Sequence, residues 1–345
     1  MAHVGWSRLA ATAVLAMVAT SMAPAAQSRM SFVDDAGRRV EVPARIDRVF
    51  AAGAPAEVLL YTLVPDKLTG RNRMPDADGL PFFPEAYRTP RLIRQPPEVD
   101  NPAADAELLA IAPDLYVDYG TVQSDYVEAL DAVTRRTSIA GIILNGQLAR
   151  IPDVYRRLGG LLGVDARGQR LADEAATLLS RYRGVLRAGG RQTRVYITCS
   201  PDGTLPCLAD DASGEQLEHL GGVNVAGVRP GSPGRPLSAA DVAALQPDAI
   251  VVTGFAGAAA RLRNDPAWNA VPAVAAGRVY QPPTQPYSWG ARPPSVNRLI
   301  GVAWLAYVLQ DKPFDAALRA EVQTFFRDFY HLDLTEAQLT SLLTR

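Results

Sequence analysis

Residues 106–120 read AELLAIAPDLYVDYG, and residues 240–254 read ADVAALQPDAIVVTG. The two stretches align without a gap and are identical at six of fifteen positions, among them Pro113/Pro247, Asp114/Asp248 and Gly120/Gly254. Each copy has the same order of signals. A short amphipathic helix ends at a Pro-Asp turn. A run rich in Val, Ile or Tyr then reads as a buried strand, and a glycine closes it where backbone can approach a partner closely. Two such copies, about one lobe apart, predict a pair of similar α/β lobes.

The flanking sequence extends this reading. Phe32-Val33 and Arg39 to Val42 flank Asp34-Asp35-Ala36-Gly37, the pattern of a hairpin. Strands are expected at Arg48 to Ala51, within Ser138 to Leu144, at Thr193 to Thr198 and at Gly277 to Tyr280, with a helix beginning near Glu57. Helices alternate with these strands, so the sheets should be mainly parallel. Between the halves, Leu171, Ala175, Leu178, Tyr182 and Leu186 keep helical spacing after Asp165, a plausible N-cap, and Gly189-Gly190 stops the run. Some 22 residues would make a rod of roughly 33 Å, long enough to bridge two lobes and stiff enough to restrict them to modest closure. The expected division is an export segment over 1–25, an N-terminal α/β lobe over 30–150, a bridging helical segment over 151–188 and a C-terminal α/β lobe over 189–345.

The export segment rests on its own signals. Arg8 precedes an apolar run, Leu9 to Thr20, of the length of a secretory core and too short to span a bilayer. Ala23-Pro24-Ala25 offers small residues for cleavage. No cysteine follows the run, so a lipid anchor is not expected, and the periplasm is the expected compartment. Arg8 is the one charged residue of 1–25, so its loss moves the formal net charge from −1 to −2. That balance gives no electrostatic reason to expect nucleic acid or an anionic membrane as a partner. The two cysteines, Cys199 and Cys207, are expected to close a small disulfide loop in an oxidising compartment, since a thiolate metal site would need more soft ligands than the chain supplies.

With the order of elements in place, the chain resembles the binding proteins of ABC importers for ferric siderophores, haem and cobalamin. The resemblance is carried by FVDDAGRRVEVPARIDRVFAAGAPAEVLLYTL (residues 32–63), AELLAIAPDLYV, the central helix, LEHLGGVNVAG (217–227) and VYQPPTQPYSWGARPPSVNRLIGVAWLAYVL (279–309). The Trp-Gly-x-Arg-Pro segment and the FFRDFYHLDLTEAQL tail are also similar to members for iron chelates, corrinoids or molybdate. The resemblance implies two Rossmann-like lobes joined by a long helix, a ligand in the cleft between them, and an acidic residue on each lobe that docks on arginines of the membrane permease. On the N-lobe the motif places that acid near Glu107, with Asp105 next, because Ala106 occupies the usual carboxylate position. On the C-lobe Glu215 or Glu218 is nearest. The cysteine-bearing stretch Thr198 to Asp211 departs from the family.

Ligands of open α/β lobes sit beyond the carboxyl ends of parallel strands. That rule selects Gly53-Ala54-Pro55, Arg71-Asn72-Arg73, Asp118-Tyr119-Gly120, Gly254-Phe255 and Tyr287 to Arg292. Arginine forks match carboxylates, phosphates and oxyanions. Arg292 is the favoured cation, because Trp289 stands three residues before it in a Gly/Pro-rich loop. Arg71 and Arg73 read equally well as ligand contacts or as solvated surface charges, and Arg298 reads as structural. Trp289, Tyr287 and Tyr119 are candidates to stack on a planar ligand, whereas Trp304 belongs to an apolar helix.

The expected function is delivery of an iron chelate, a ferric siderophore above all, to an ABC importer by a monomer with no resident cofactor. The alternatives are molybdate or tungstate, a corrinoid or haem, and a ligand-sensing subunit uncoupled from transport. Naked zinc or manganese would need more ligands than His219 and His331, the histidines left after export, provide. No nucleophile elbow, His-Glu-x-x-His, Walker loop or dinucleotide fingerprint occurs, and no enzymatic activity is expected.

Overall fold

The computed structural model describes residues 1, 28–71, 75–88, 102–187, 192–207, 212–227 and 235–344. Residues 2–25 of the export segment, and Arg73, lie outside these. Among the described residues no helix is long and apolar enough to cross a membrane.

The chain opens with the expected antiparallel hairpin, β1 (Arg29–Val33) and β2 (Arg39–Pro43), with Val33 opposite Arg39. Asp34 shapes its turn by accepting from the backbone N–H groups of Ala36 and Arg38. The first parallel sheet follows. Its strands are β3 (Val49–Ala51), β4 (Leu115–Gly120) and β5 (Gly141–Asn145), in the order β3-β4-β5. Helices α1 (Ala54–Leu63), α2 (Pro102–Ile111) and α3 (Ser124–Thr137) cover it. The second sheet contains β6 (Arg194–Thr198), β7 (Val223–Asn224), β8 (Ala249–Val252) and β9 (Val279–Tyr280), in the order β7-β6-β8-β9, all parallel. Its helices are α6 (Ala212–Leu220), α7 (Ala239–Ala244), α8 (Ala258–Asn264) and α9 (Pro272–Ala275). Strands such as Ala249–Val252 are buried along their whole length, as expected of parallel strands covered on both faces.

The sequence repeat is a repeat of hydrogen bonds. Ala112 and Gln246, aligned before the two prolines, both take left-handed backbone, with φ 49° and 48°, which ends each helix. Asp114 accepts from the Asp47 and Arg48 N–H groups at 2.8 and 2.9 Å, and Asp248 accepts from the Arg194 N–H at 2.8 Å. The Arg48 guanidinium donates to the Ile111 carbonyl and that of Arg194 to the aligned Leu245 carbonyl. One polar corner therefore fastens helix to strand in both lobes.

Between the sheets the chain forms a helix pair, α4 (Ile151–Leu161) and α5 (Asp165–Tyr182). The bridging rod is shorter than the sequence predicts. It has 18 residues, about 27 Å, because Arg183 leaves helical backbone and Gly184 turns left-handed at φ 69°. Val164, not Asp165, is the N-cap. The α4 and α5 backbones meet where neither carries a side chain: a Cβ on Gly159 would lie 2.8 Å from the Gly168 Cα.

The carboxyl-terminal helices unite the molecule. All twelve residues of α10 (Arg298–Leu309) are buried, as befits a helix apolar on every side, and it packs on α5, α6 and α11 (Ala316–Tyr330). Although α11 and α12 (Glu336–Leu342) follow the second sheet, they pack across onto the first lobe. Tyr61 of α1 donates to the Tyr330 carbonyl at 2.9 Å, Phe329 meets Tyr155 edge-on, and Gln338 donates to the Pro81 carbonyl at 3.0 Å.

Arg298 joins the lobes at the base of α10. It is 1% exposed. Its Nη1 donates to Glu215 at 3.0 Å, its Nη2 to the Gly146 carbonyl and its Nε to the Ser295 carbonyl at 3.2 Å. Glu215 in turn accepts from the Leu148 N–H at 2.6 Å. Gly146 and Leu148 follow β5 of the first lobe, whereas Glu215 lies on α6 of the second. Removing one member of such a pair strands the other without its partner. Arg298→Ala should therefore lower stability by about 3–5 kcal/mol in urea denaturation. A loss under about 1 kcal/mol, the size of a surface pair, would contradict this role.

Two histidines make stability sensitive to acid. His331 ends α11 in left-handed backbone and lies between Arg167 (2.9 Å to Nδ1) and the Tyr61 carbonyl (3.2 Å to Nε2). His219, in the last turn of α6, reaches outside its own helix: its Nε2 donates to the Leu179 carbonyl of α5 at 2.7 Å. Burial depresses the pKa of both below 6.5; the Arg167 charge adds to this at His331, and the hydrogen bonds to the carbonyls oppose it. The unfolded chain is then the stronger proton binder. The histidine contribution is intact above about pH 6.5 and drains as pH falls from there toward the lower folded values. Melting temperature should fall over that window, and His331→Gln with His219→Gln should flatten the fall.

Candidate functional site

Segments that follow β3, β6, β8 and β9 line one cleft between the lobes, with a volume of about 710 Å³. Ala54, at the start of α1, and the turn Pro75–Asp78 contribute from the first lobe. Cys199, Thr253 to Ala256 and two stretches of the 284–294 segment contribute from the second.

Arg292 projects into this cleft and is exposed. Its guanidinium carbon lies 5.0 Å from the Phe255 ring centroid, within cation–π range, and its Nη2 stands 3.4 Å from the Cys199 carbonyl oxygen. Its stem runs over Gly254, the closing glycine of the second repeat copy, where a side chain would collide with the Arg292 Cδ. Gly254 also sits at φ 76°, left-handed backbone that disfavours other residues. Its counterpart Gly120 differs: a Cβ there would meet nothing within 4 Å, and the close approach at that point depends on Gly146, whose Cβ would lie 2.7 Å from the Gly120 Cα. Of the two repeat glycines, only Gly254 is required bare by a neighbouring side chain, and that neighbour is the cleft residue Arg292.

The wall behind Arg292 is cross-linked. Cys199 and Cys207 form the expected disulfide, with S–S 2.02 Å and Cα atoms 5.0 Å apart. Both sulfurs lie near the Thr253 hydroxyl, at 3.8 and 3.7 Å.

The loop bearing Tyr287 and Arg292 is anchored by Trp289. This ring does not face the cleft. It is 1% exposed, its Nε1 donates to the Gln285 carbonyl at 3.3 Å, and it packs near Phe326. The Trp289 carbonyl accepts from the Gln216 side chain at 2.9 Å and lies against Gly301 of α10, where any Cβ would overlap it. Neighbouring Gly, Ala, Ser and Pro residues suggest an exposed loop by composition, but here small residues let the loop press onto a buried helix. The peptide bonds before Pro286 and Pro293 are cis. Tyr287 does line the cleft. Burial pushes its phenol far above the ordinary range, and the Glu57 carboxylate behind it adds to the rise against the opposing Arg71 charge.

Other expected contacts point elsewhere. Arg71 is neither a cleft cation nor a solvated charge. It is 2% exposed, pairs with Glu57 at 3.7 Å and lies over the Phe83 and Tyr61 rings at 4.4 and 5.4 Å. Tyr119 is 1% exposed, and burial pushes its phenol up to about 12 against the lowering charge of Arg298. Gly53 is the extended N-cap of α1, one residue from the lining Ala54. Asp118 lines a separate hollow of about 320 Å³ with Tyr116, Asp125 and Tyr126; burial raises its carboxyl, against the N–H of Tyr119. Of the candidate docking acids, Asp105 is held by Arg136 at 2.5 Å and Glu215 by Arg298. Glu107 and Glu218 carry no ion pair among the described residues, and Glu218 is exposed. Sequence reasoning missed Asp76 and Asp78, which lie in a turn after no strand. Their signal is PDADG, two acids among turn formers.

No curated protein matches the chain by sequence. Solved structures match its fold. An ABC transporter solute binding protein from Sulfurospirillum deleyianum superposes with TM-score 0.80 at 22% identity, covering 91% of this chain and 98% of its own. The molybdate periplasmic binding protein MolA of Haemophilus influenzae, bound to molybdate, gives 0.68 at 18% identity, covering 89% and 99%. The periplasmic catecholate-siderophore binding protein VctP of Vibrio cholerae gives 0.60 at 11% identity, covering 83% and 100%. The family model described as periplasmic binding protein matches residues 88–286, more than half of the sequence, and together with paired parallel sheets around one cleft this places the chain in the periplasmic binding protein family, the ligand carriers of ABC transporters.

Proposed function

We propose that this protein binds a ferric chelate of the siderophore class between its lobes and delivers it to an ABC importer. The observation that carries the reading is the interlobe cleft of about 710 Å³ with the exposed guanidinium of Arg292 on its wall. A tetrahedral oxyanion such as molybdate would fill a small part of that space and would call for several donors at contact distance. Here, among the described residues, one arginine faces two aspartates. Haem or a corrinoid would call for flat stacking surfaces. With Trp289 and Tyr119 turned into the core, the rings left at the cleft among the described residues are those of Tyr287 and Phe255. Export by the segment 1–25 and action as a monomer complete the proposal. Closure would bend the connections around α5 and α10, which the Arg298 network holds to a small amplitude.

In this reading Glu107 and Glu218 present the lobes to the permease, since Asp105 and Glu215 are already neutralised inside the protein.

Two measurements test the proposal. Calorimetry with a ferric hydroxamate or catecholate should give saturable binding, and Arg292→Ala should weaken it about 10- to 150-fold, or about 1.5–3 kcal/mol for a hydrogen bond to a charged group. Binding of molybdate with no binding of any ferric chelate would overturn the ligand assignment. In cells, Glu107→Ala with Glu218→Ala should abolish uptake while the purified variant still binds. Unchanged uptake would remove both Glu107 and Glu218 from the docking contact. Unchanged uptake in a strain lacking the whole protein would favour a sensing subunit.

A further inference from the structure

Arg292 is exposed, and a long side chain that moves freely in solvent loses rotamer freedom when a ligand fixes it. Here it is fixed beforehand. Its stem lies over Gly254, its guanidinium over the Phe255 ring, and its Nη2 donates to the Cys199 carbonyl at 3.4 Å. That contact uses one of five donors, so the rest of the fork stays open to the cleft. Gly254 and Phe255 follow β8, whereas Cys199 follows β6. The orientation of Arg292 therefore depends on keeping two strand ends in place. Two links do so. Thr253 donates its N–H and its hydroxyl to the Thr198 carbonyl, at 3.1 and 3.3 Å. The second link is the disulfide, whose two sulfurs pack on the same hydroxyl.

The two ends of the disulfide are unlike. Cys207 is the fixed end: it is 1% exposed, its N–H donates to the Ile197 carbonyl at 2.9 Å, and its carbonyl accepts from the Asn224 side chain at 3.2 Å. Cys199 is half-buried and lines the cleft. The turn between them is shaped without the bond. Asp202 accepts from the Ser200 and Thr204 hydroxyls at 2.6 and 3.0 Å, the Tyr196 hydroxyl donates to the Gly203 carbonyl at 2.8 Å, and the Leu205 carbonyl accepts from the Cys199 N–H at 2.8 Å. A short loop also gains least from cross-linking, because restriction of the unfolded chain grows with the loop closed. What the bond adds here is the place of the Cys199 carbonyl. Resting on the reading of Arg292 as the cation that meets the ligand, we infer that the Cys199–Cys207 disulfide is a positioning element of the binding site, which holds the Arg292 guanidinium toward the cleft before the ligand arrives. Without the bond the same arginine is a mobile charge that the ligand has to order.

A double-mutant cycle tests this. The full chain, Cys199→Ala with Cys207→Ala, Arg292→Ala, and all three changes together are titrated with a ferric trihydroxamate and a ferric tris-catecholate. Thermal melts of each variant keep the titrations where all are folded. Loss of the disulfide should weaken binding about three- to tenfold, the scale of ordering one long side chain. With Arg292→Ala already in place, the same loss should change binding by less than about twofold. A second readout needs neither a chelate nor a variant. Phenylglyoxal modification of Arg292, followed by peptide mass mapping, is compared with that of Arg170, exposed on α5. The ratio should rise when the native chain is reduced and desalted. Equal weakening with and without Arg292, no weakening, or an unchanged ratio overturns this inference and leaves the chelate reading intact. Failure of every ferric chelate to bind overturns the chelate reading, and the ratio then decides this inference alone.

Discussion

The buried guanidinium of Arg298 is the constraint on which the two-lobed arrangement depends. A charge at 1% exposure is tolerable only when its donors are used, and here they go to Glu215, to Ser295 and across the lobe boundary to Gly146. Glu215 extends the same network to the Leu148 N–H. Nearby, the Ser295 hydroxyl donates to the Pro55 carbonyl at the head of α1. Glu215 and Leu148 line a separate hollow of about 450 Å³, so the groups that hold the lobes together lie beside the Arg292 cleft and not in its wall.

Much of the architecture was legible because its signals are local. Buried parallel strands announce themselves as short apolar runs, and the Pro-Asp turn repeated at 113 and 247 announced the duplication. The fuller form of that duplication, with Arg48 and Arg194 answering the same helix ends, is also visible in RVFA and RVYI once the roles are known. Cys199 and Cys207 paired because seven intervening residues suffice to fold the strand end back. The bridging helix was overestimated because Leu186 continues the apolar period after Gly184 has broken the backbone pattern.

The site was less legible because burial is a property of tertiary packing. Trp289 stands among residues typical of an exposed loop, and nothing local reveals that Gly301, far along the chain, leaves a space into which that loop settles. Arg71 reads by sequence as a cleft or surface charge, but Tyr61 and Glu57 of α1 and Phe83 of the following segment enclose it. The prediction at Arg292 came from its proximity to Trp289, and the two prove complementary: the tryptophan fixes the loop and the arginine uses it. Asp76 and Asp78 escaped because the strand-end rule does not look at turns that reach the cleft from the side.

The return of α11 and α12 onto the first lobe sets the mechanical topology of the molecule. The hairpin near the beginning of the described chain and the helices at its end both belong to the same lobe, so the second lobe is inserted between two crossings. Tension applied at the two ends would load the first lobe and pass the second by, as a closed loop hung from a taut line. A partner that pulls on or grips the termini would therefore reach the wall carrying Arg292 only by first disturbing the helical layer around α10.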